Sequence, residues 1–207
     1  MISLSKDGYL LIIFVRNVRH EGVKTRLAMG IGAEGAIKIY RYLLSKTSVT
    51  ARRVQCFRLV CYDNEIEEND VFNSSYFLKE IQRGADLGER MSEAFSAAFH
   101  AGFSRVICIG SDCLELSANL ITDAFKALGS SDVVLGPAVD GGYYLVGMKK
   151  LYTPVFKDKE WSTPNVLLDT LLSVKQLGLT YHLLPTLNDI DTMQDLTPEL
   201  LEILEGD

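Results

Sequence analysis

Short, nearly unbroken apolar runs recur along the chain and alternate with stretches of helical periodicity, and this alternation restricts the fold more than any other feature. Residues 9–15 (YLLIIFV), 55–62 (QCFRLVCY), 106–109 (VICI) and 132–138 (DVVLGPA) have the length and composition of strands covered on both faces. Residues 141–148 (GGYYLVGM) read as a further strand and 181–184 as a last short one. Between them, residues 33–46, 86–101 and 164–177 carry helical patterns. A fourth helix follows Ser117, which can cap it, and ends at Gly129. The acidic, breaker-rich segment 63–75 (DNEIEENDVFNSS) predicts a solvated excursion. Strands buried on both faces and alternating with helices imply a mostly parallel sheet between helical layers. Ligands of such sheets gather at the carboxyl ends of the strands.

Other architectures are disfavoured. Residues 9–15 are too few to span a bilayer and lack a small-residue cleavage site after them. With 207 residues, 47% hydrophobic and 23% charged, the chain is long enough for one well-cored domain over 1–207. A formal charge of −6 argues against a nucleic-acid or membrane surface, because a phosphate backbone needs a dense cationic stripe. Cys56, Cys61, Cys108 and Cys113 form no CxxC pair, and His20, His100 and His182 are far apart in sequence, so a structural zinc site is not expected. A reduced, cytoplasmic compartment is the simpler expectation.

Several segments could carry chemistry. GIGAEG, residues 30–35, matches the dinucleotide-binding glycine pattern, but RNVRHEGVKTRLAM separates it from the first strand and no acidic residue stands at the required distance downstream. In EGVKTRLA, Lys24 and Arg26 are one residue apart and Gly22 leaves backbone free to approach a phosphate; a solvated basic loop reads equally well. GSDC offers Ser111 and Cys113 as nucleophiles, yet no nucleophile elbow or neighbouring histidine supports them. Asp112 stands at the end of a strand, as a metal ligand or as a turn or capping residue. Asp140 precedes two glycines at the start of a strand, where backbone can pass close to a ligand. Asp189 and Asp191 point the same way in an extended segment. Asp112 with one of these would make an oxygen site suited to Mg²⁺ or Mn²⁺, at about 2.0 to 2.1 Å for Mg²⁺.

KTRLA, GADLGERM, IGSDC, VVLGPAVDGGYYLVGM, WST and DIDTMQDL occur in this order over nearly the whole chain. Together they resemble a bacterial glycosyltransferase-like family of nucleotide-diphospho-sugar transferase fold, also known as a domain of unknown function. Its relatives by fold include molybdenum-cofactor and phospholactate guanylyltransferases. The resemblance implies a glycosyltransferase-A type fold, a three-layer α/β sandwich with a mostly parallel central sheet. It implies that Asp112 and Asp191 bind Mg²⁺ or Mn²⁺, that Lys24 and Arg26, with Gly22, contact the phosphates, and that Asp140, Gly141, Gly142, Trp161 and Thr163 face the acceptor or sugar. Asp140 is the candidate for orienting or deprotonating the acceptor, and Trp161 is expected in the crevice rather than the core.

Two positions depart from the family pattern: Glu21-Gly22 stands where a proline-glycine pair is usual, and Leu114 where a proline is usual. The expected function is metal-dependent transfer from a nucleotide-activated substrate, foremost glycosyl transfer from an NDP-sugar to a small-molecule acceptor. The alternatives are nucleotidyl transfer with release of pyrophosphate, and nucleotide binding without turnover.

Overall fold

The apolar runs assemble into one seven-stranded sheet in a computed structural model that describes residues 8–18 and 22–206. Strand β1 (Tyr9–Val15) pairs in parallel with β2 (Phe57–Tyr62) on one side and β4 (Arg105–Ile109) on the other. Beyond β2, β3 (Leu78–Ile81) continues the parallel arrangement. Beyond β4 comes β6 (Tyr143–Met148), antiparallel both to β4 and to β5 (Val133–Pro137), and β7 (Tyr181–Leu183) closes the edge in parallel with β5. The order is β3-β2-β1-β4-β6-β5-β7. Strands β5 and β6 form a hairpin whose tip, residues 138–142, is closed by hydrogen bonds from Ala138 N to Gly142 O and from Gly141 N to Ala138 O.

The two-residue period of each strand explains why its sequence is apolar throughout. Leu11, Ile13 and Val15 of β1 pack with Tyr40 and Leu44 of α1 (Thr25–Arg52) and Ile121 and Phe125 of α3 (Ala118–Ala127). The intervening Leu10 and Ile12 pack with Phe95 and Ala98 of α2 (Leu87–His100) and Val174 of α4 (Val166–Gln176). A third cluster joins Leu27 and Leu43 of α1 to Ile190 and to Leu200 of α5 (Pro198–Glu205). Each buried Leu, Ile, Val or Phe side chain among these contributes about 1.5 to 3 kcal/mol through burial alone. Among the described residues no helix is long and apolar enough to cross a membrane.

Three expectations are corrected. The first helix starts at Thr25 rather than at residue 33, because Leu27 finds a buried place in the third cluster, and it continues to Arg52 past a break at Gly32 (φ 79°, ψ 161°) that suits glycine. Lys24 is therefore the residue that precedes the helix and Arg26 lies in its first turn, not in a loop. Strand β3 and helix α5 were not expected: β3 has a largely exposed, four-residue sequence held by backbone pairing to β2, and α5 comprises only eight residues.

The third correction concerns segment 63–75, which is not simply solvated. Phe72 is fully buried against Phe77, and Asp70 accepts from Tyr62 Oη at 2.6 Å and Lys79 Nζ at 2.8 Å, with the Lys79 side chain only 6% exposed. Removing Asp70 leaves the enclosed Lys79 ammonium without its counter-charge, with the carbonyls of Glu67 and Glu68 as its remaining hydrogen-bond partners. Asp70→Ala is expected to lower stability by about 3 kcal/mol in urea unfolding. A loss below about 0.5 kcal/mol, the scale of an exposed pair, would show that the segment is not anchored there.

Candidate functional site

The carboxyl ends of β1 and β4 lie side by side, and a cavity of about 680 Å³ opens over them. Its walls come from the end of β1 and start of α1 (Val15, Arg16, Lys24, Arg26), the loop after β4 (Gly110, Ser111, Asp112), and the start of β6 (Tyr143, Tyr144). Asp140, Trp161, Asp189 and Asp191 complete one side, while Gln82, Asp86 and Arg90 line the other.

The loop after β4 is shaped from its glycine. A Cβ on Gly110 would lie 2.9 Å from Asp112 Oδ1, so glycine leaves room for the carboxylate beside the strand end. Ser111 is buried and shares a hydrogen bond with Tyr40 Oη at 3.1 Å. Tyr40 Oη in turn accepts from Arg16 N at 2.9 Å, linking the ends of both strands to α1. Asp112 does not cap the following helix; Ser117 does, accepting from Leu120 N. The Asp112 carbonyl instead accepts from Ile190 N at 2.9 Å, which brings the distant segment 189–191 to the same place. In that segment Ile190 is buried in the third cluster while Asp189 and Asp191 both line the cavity. Asp195 steadies it by accepting from Asp191 N and from Thr192 N and Oγ1.

Opposite charges meet at this junction. Lys24 Nζ lies 2.8 Å from Asp112 Oδ2 and 3.6 Å from Asp191 Oδ1, and Arg26 Nη1 donates to Asp191 Oδ2 at 2.9 Å. The Lys24 side chain is 7% exposed, whereas that of Arg26 is 61% exposed. Asp189 is the member of the cluster to which the family resemblance gave no role. Its Oδ1 is buried without a hydrogen-bond partner, and its carboxyl is pushed up to about 7 by burial first and by the nearby Asp112 carboxylate second, with Lys24 acting in the opposite direction. The one-residue spacing from Asp191 was its only signal in the sequence.

These donors suit a hard cation. Asp112 and Asp191 present carboxylate oxygens to one shared ammonium, a place where positive charge is already stabilised. Among the described residues no group of three or more His, Cys, Asp or Glu side chains is arranged to hold an ion by itself. A Mg²⁺ or Mn²⁺ ion held by two carboxylates alone would need phosphate and water for its remaining ligands.

The other expected residues separate into two groups. Asp140 and Trp161 line the cavity. Asp140 Oδ1 accepts from Gly142 N at 2.8 Å, and the half-buried Trp161 stands edge-on to Tyr143, with centroids 6.5 Å apart, over Gly88. Gly22, Gly141, Gly142 and Thr163 do not line it. Gly141 has φ 88°, and a Cβ there would come within 2.1 Å of Pro164 O, so glycine is required by the close approach of segment 161–164. Thr163 Oγ1 donates to Glu160 O in a local turn.

Glu21 lies outside the described residues, and Leu114 packs against the third cluster. The glycines of GIGAEG serve the path and packing of α1: Gly30 lies against Met193, Gly35 against Leu204 of α5, and Gly32 forms the break. Cys113 is buried, and burial pushes its thiol well up from the ordinary value. Arg16 is the first residue after β1, at a strand end where a ligand site is expected, whereas Gln82 and Arg90 were missed. Arg90 belongs to GADLGERM, but a lone arginine on a helix reads as ordinary surface charge.

The family model described as "Uncharacterized protein conserved in bacteria (DUF2064)" matches residues 47–163. The chain is similar to a solved structure from Desulfovibrio desulfuricans G20, provisionally assigned as a nucleotide-diphospho-sugar transferase, with 30% identity, coverage of 91% of this chain and 84% of that one, and a TM-score of 0.85. It shares its fold with 4-diphosphocytidyl-2C-methyl-D-erythritol synthase from Anaerococcus prevotii DSM 20548 (11% identity, 97% and 96% coverage, TM-score 0.64). The same holds for CMP:2-keto-3-deoxy-manno-octonic acid synthetase complexed with CTP (11% identity, 97% and 100% coverage, TM-score 0.58). No curated protein matches the chain. The family match covers more than half of the sequence and the Desulfovibrio structure matches over most of both chains: this chain belongs to the bacterial DUF2064 family and has the nucleotide-diphospho-sugar transferase fold.

Proposed function

We propose that the protein is a metal-dependent transferase acting on a nucleotide-activated substrate, foremost a glycosyl donor of the NDP-sugar class. The observation that carries this reading is the meeting of Lys24 and Arg26 with Asp112 and Asp191 at the adjacent ends of β1 and β4. Two cations beside two hard-oxygen donors in an otherwise acidic protein are suited to a diphosphate and its counter-ion. The similarity to the Desulfovibrio protein supports the donor class.

In this reading Asp112 and Asp191 hold Mg²⁺ or Mn²⁺, which when bound stabilises charge on the departing diphosphate. Lys24 and Arg26 hold the phosphate oxygens and stabilise the same developing charge from the protein side. Asp140, at the hairpin tip, orients the acceptor hydroxyl and takes its proton as the oxygen attacks the anomeric carbon. Trp161 and Tyr143 supply an aromatic wall for the sugar or acceptor. A second reading, nucleotidyl transfer, is favoured by the cytidine-nucleotide enzymes that share the fold. The same cations and carboxylates would then act at the α-phosphate of an NTP, with pyrophosphate leaving. Incubation with NDP-sugars and with NTPs separates the readings, because the first releases NDP and the second pyrophosphate.

Asp112→Asn is expected to reduce metal-dependent product release by about 10²-fold or more, the scale of losing one preorganised electrostatic contact. Apo stability should change by less than about 1 kcal/mol, since Asp191 still faces Lys24 and Asp112 is 38% exposed. Unimpaired turnover in the variant would remove Asp112 from the mechanism. As the only tryptophan, Trp161 should report ligand binding directly, with fluorescence quenched on titration of a sugar nucleotide. Unchanged emission on saturation with a nucleotide whose binding calorimetry confirms would exclude it from the site.

A further inference from the structure

We propose that Lys24 is an internal counter-ion that closes the Asp112–Asp191 pair to free divalent metal and yields it only when a phosphate-bearing ligand draws the ammonium away. The inference rests on the reading of these carboxylates as the metal ligands and goes beyond it by assigning Lys24 control over when they are available.

Its basis is the double contact of one ammonium. Lys24 Nζ reaches both carboxylates from a side chain that is 7% exposed, so little water remains to replace either partner. Lys24 and Arg26 match the charges of Asp112 and Asp191, with Asp189 and Asp140 lining the same cavity beside them. A divalent ion arriving alone must displace the ammonium from the same oxygens and leave it enclosed beside a second cation, an unfavourable arrangement on both counts. A diphosphate arriving with the ion gives Lys24 a new anionic partner and removes that penalty. Metal and phosphate should therefore tighten each other by the same factor.

The backbone around Lys24 shows which part moves. Lys24 sits in the left-handed region (φ 51°, ψ 50°), uncommon for a residue with a side chain, and Leu27, Gly30 and Ile190 are fixed in packed contacts. Gly30 lies against Met193, two residues beyond Asp191, so the start of α1 and the carboxylate segment are packed together. The exchange then belongs to the flexible four-carbon stem of Lys24, which can carry its ammonium from carboxylate to phosphate without movement of the helix.

The test titrates Mn²⁺ into the full chain without nucleotide and counts free ion by electron paramagnetic resonance. The proteins compared are the unaltered chain, Lys24→Met, Lys24→Gly, which removes the charge and suits the left-handed backbone, and Lys24→Arg, which keeps the charge. The series is repeated with inorganic pyrophosphate, and melting curves establish which variants are folded. Both neutral variants are expected to bind Mn²⁺ about tenfold or more tightly than the unaltered chain, equivalent to 1.4 kcal/mol, with Lys24→Arg close to it. Pyrophosphate should tighten Mn²⁺ binding to the unaltered chain more than to either neutral variant. Equal Mn²⁺ affinity of the unaltered chain and a folded neutral variant, without pyrophosphate, overturns the counter-ion role while leaving the metal-dependent reading intact. Absence of Mn²⁺ binding from every protein, with and without pyrophosphate, overturns both.

Discussion

Parallel pairing of β1 with β4, both buried on their two faces, is the constraint from which the site follows. Two adjacent parallel strands deliver their chains to the same edge of the sheet, where the loops must diverge to reach α1 and α3. The gap between the diverging loops becomes the cavity, and the first polar residues after each strand become its floor. Arg16 and Ser111 occupy such positions, with Asp112 next in the chain, because Val15 and Ile109 end the apolar runs, and the distant segment 189–191 is brought in by the backbone bond from Ile190 to Asp112. The site is therefore a consequence of strand order before it is a consequence of any one side chain.

The layered fold was legible in the sequence because continuous burial leaves an unmistakable apolar record in β1, β4 and β5. The record failed where burial was partial or backbone pairing replaced it. Strand β3 is held by its ladder to β2 and leaves Leu78 and Ile81 exposed, so its residues carry little strand signature. The early start of α1 was hidden by Gly30 and Gly32, which interrupt the helical pattern, one lying against Met193 and the other breaking the helix. In segment 63–75 the acidic composition masked Phe72 and the Asp70–Lys79 contact, since both partners of that pair come from segments that look solvated when read separately.

Within the candidate site, Asp112 and the pair Asp189 and Asp191 stood out through their places at strand ends and their spacing. Their unequal surroundings did not, because these depend on packing from three separated stretches. Asp191 is met by Arg26 and Lys24, while Asp189, two residues away, keeps an unpartnered oxygen in an enclosed setting. Gly141 illustrates the opposite case. Its place beside Asp140 suggested contact with a ligand, whereas the requirement for glycine comes from Pro164 passing close behind it.

The antiparallel orientation of β6 builds the two sides of the cavity from different kinds of connection. The Lys24 and Asp112 side is built from crossover connections whose geometry is tied to the packing of α1 and α3 on the sheet. The Asp140 side is the tip of the β5–β6 hairpin, supported by an antiparallel ladder whose register shifts between Gly136 and Pro137. Beyond that ladder the tip is itself held: Val139 N donates to Leu187 O, Leu167 N donates to Gly141 O, and Pro164 passes close behind Gly141. An insertion at 138–142 would therefore be felt on both walls at once, through segment 161–164 on one side and through the chain that leads from Leu187 to Asp189 and Asp191 on the other. The hairpin tip acts as a brace between the two walls, so exchange of side chains there, rather than a change in length, is the route by which one wall can be remodelled.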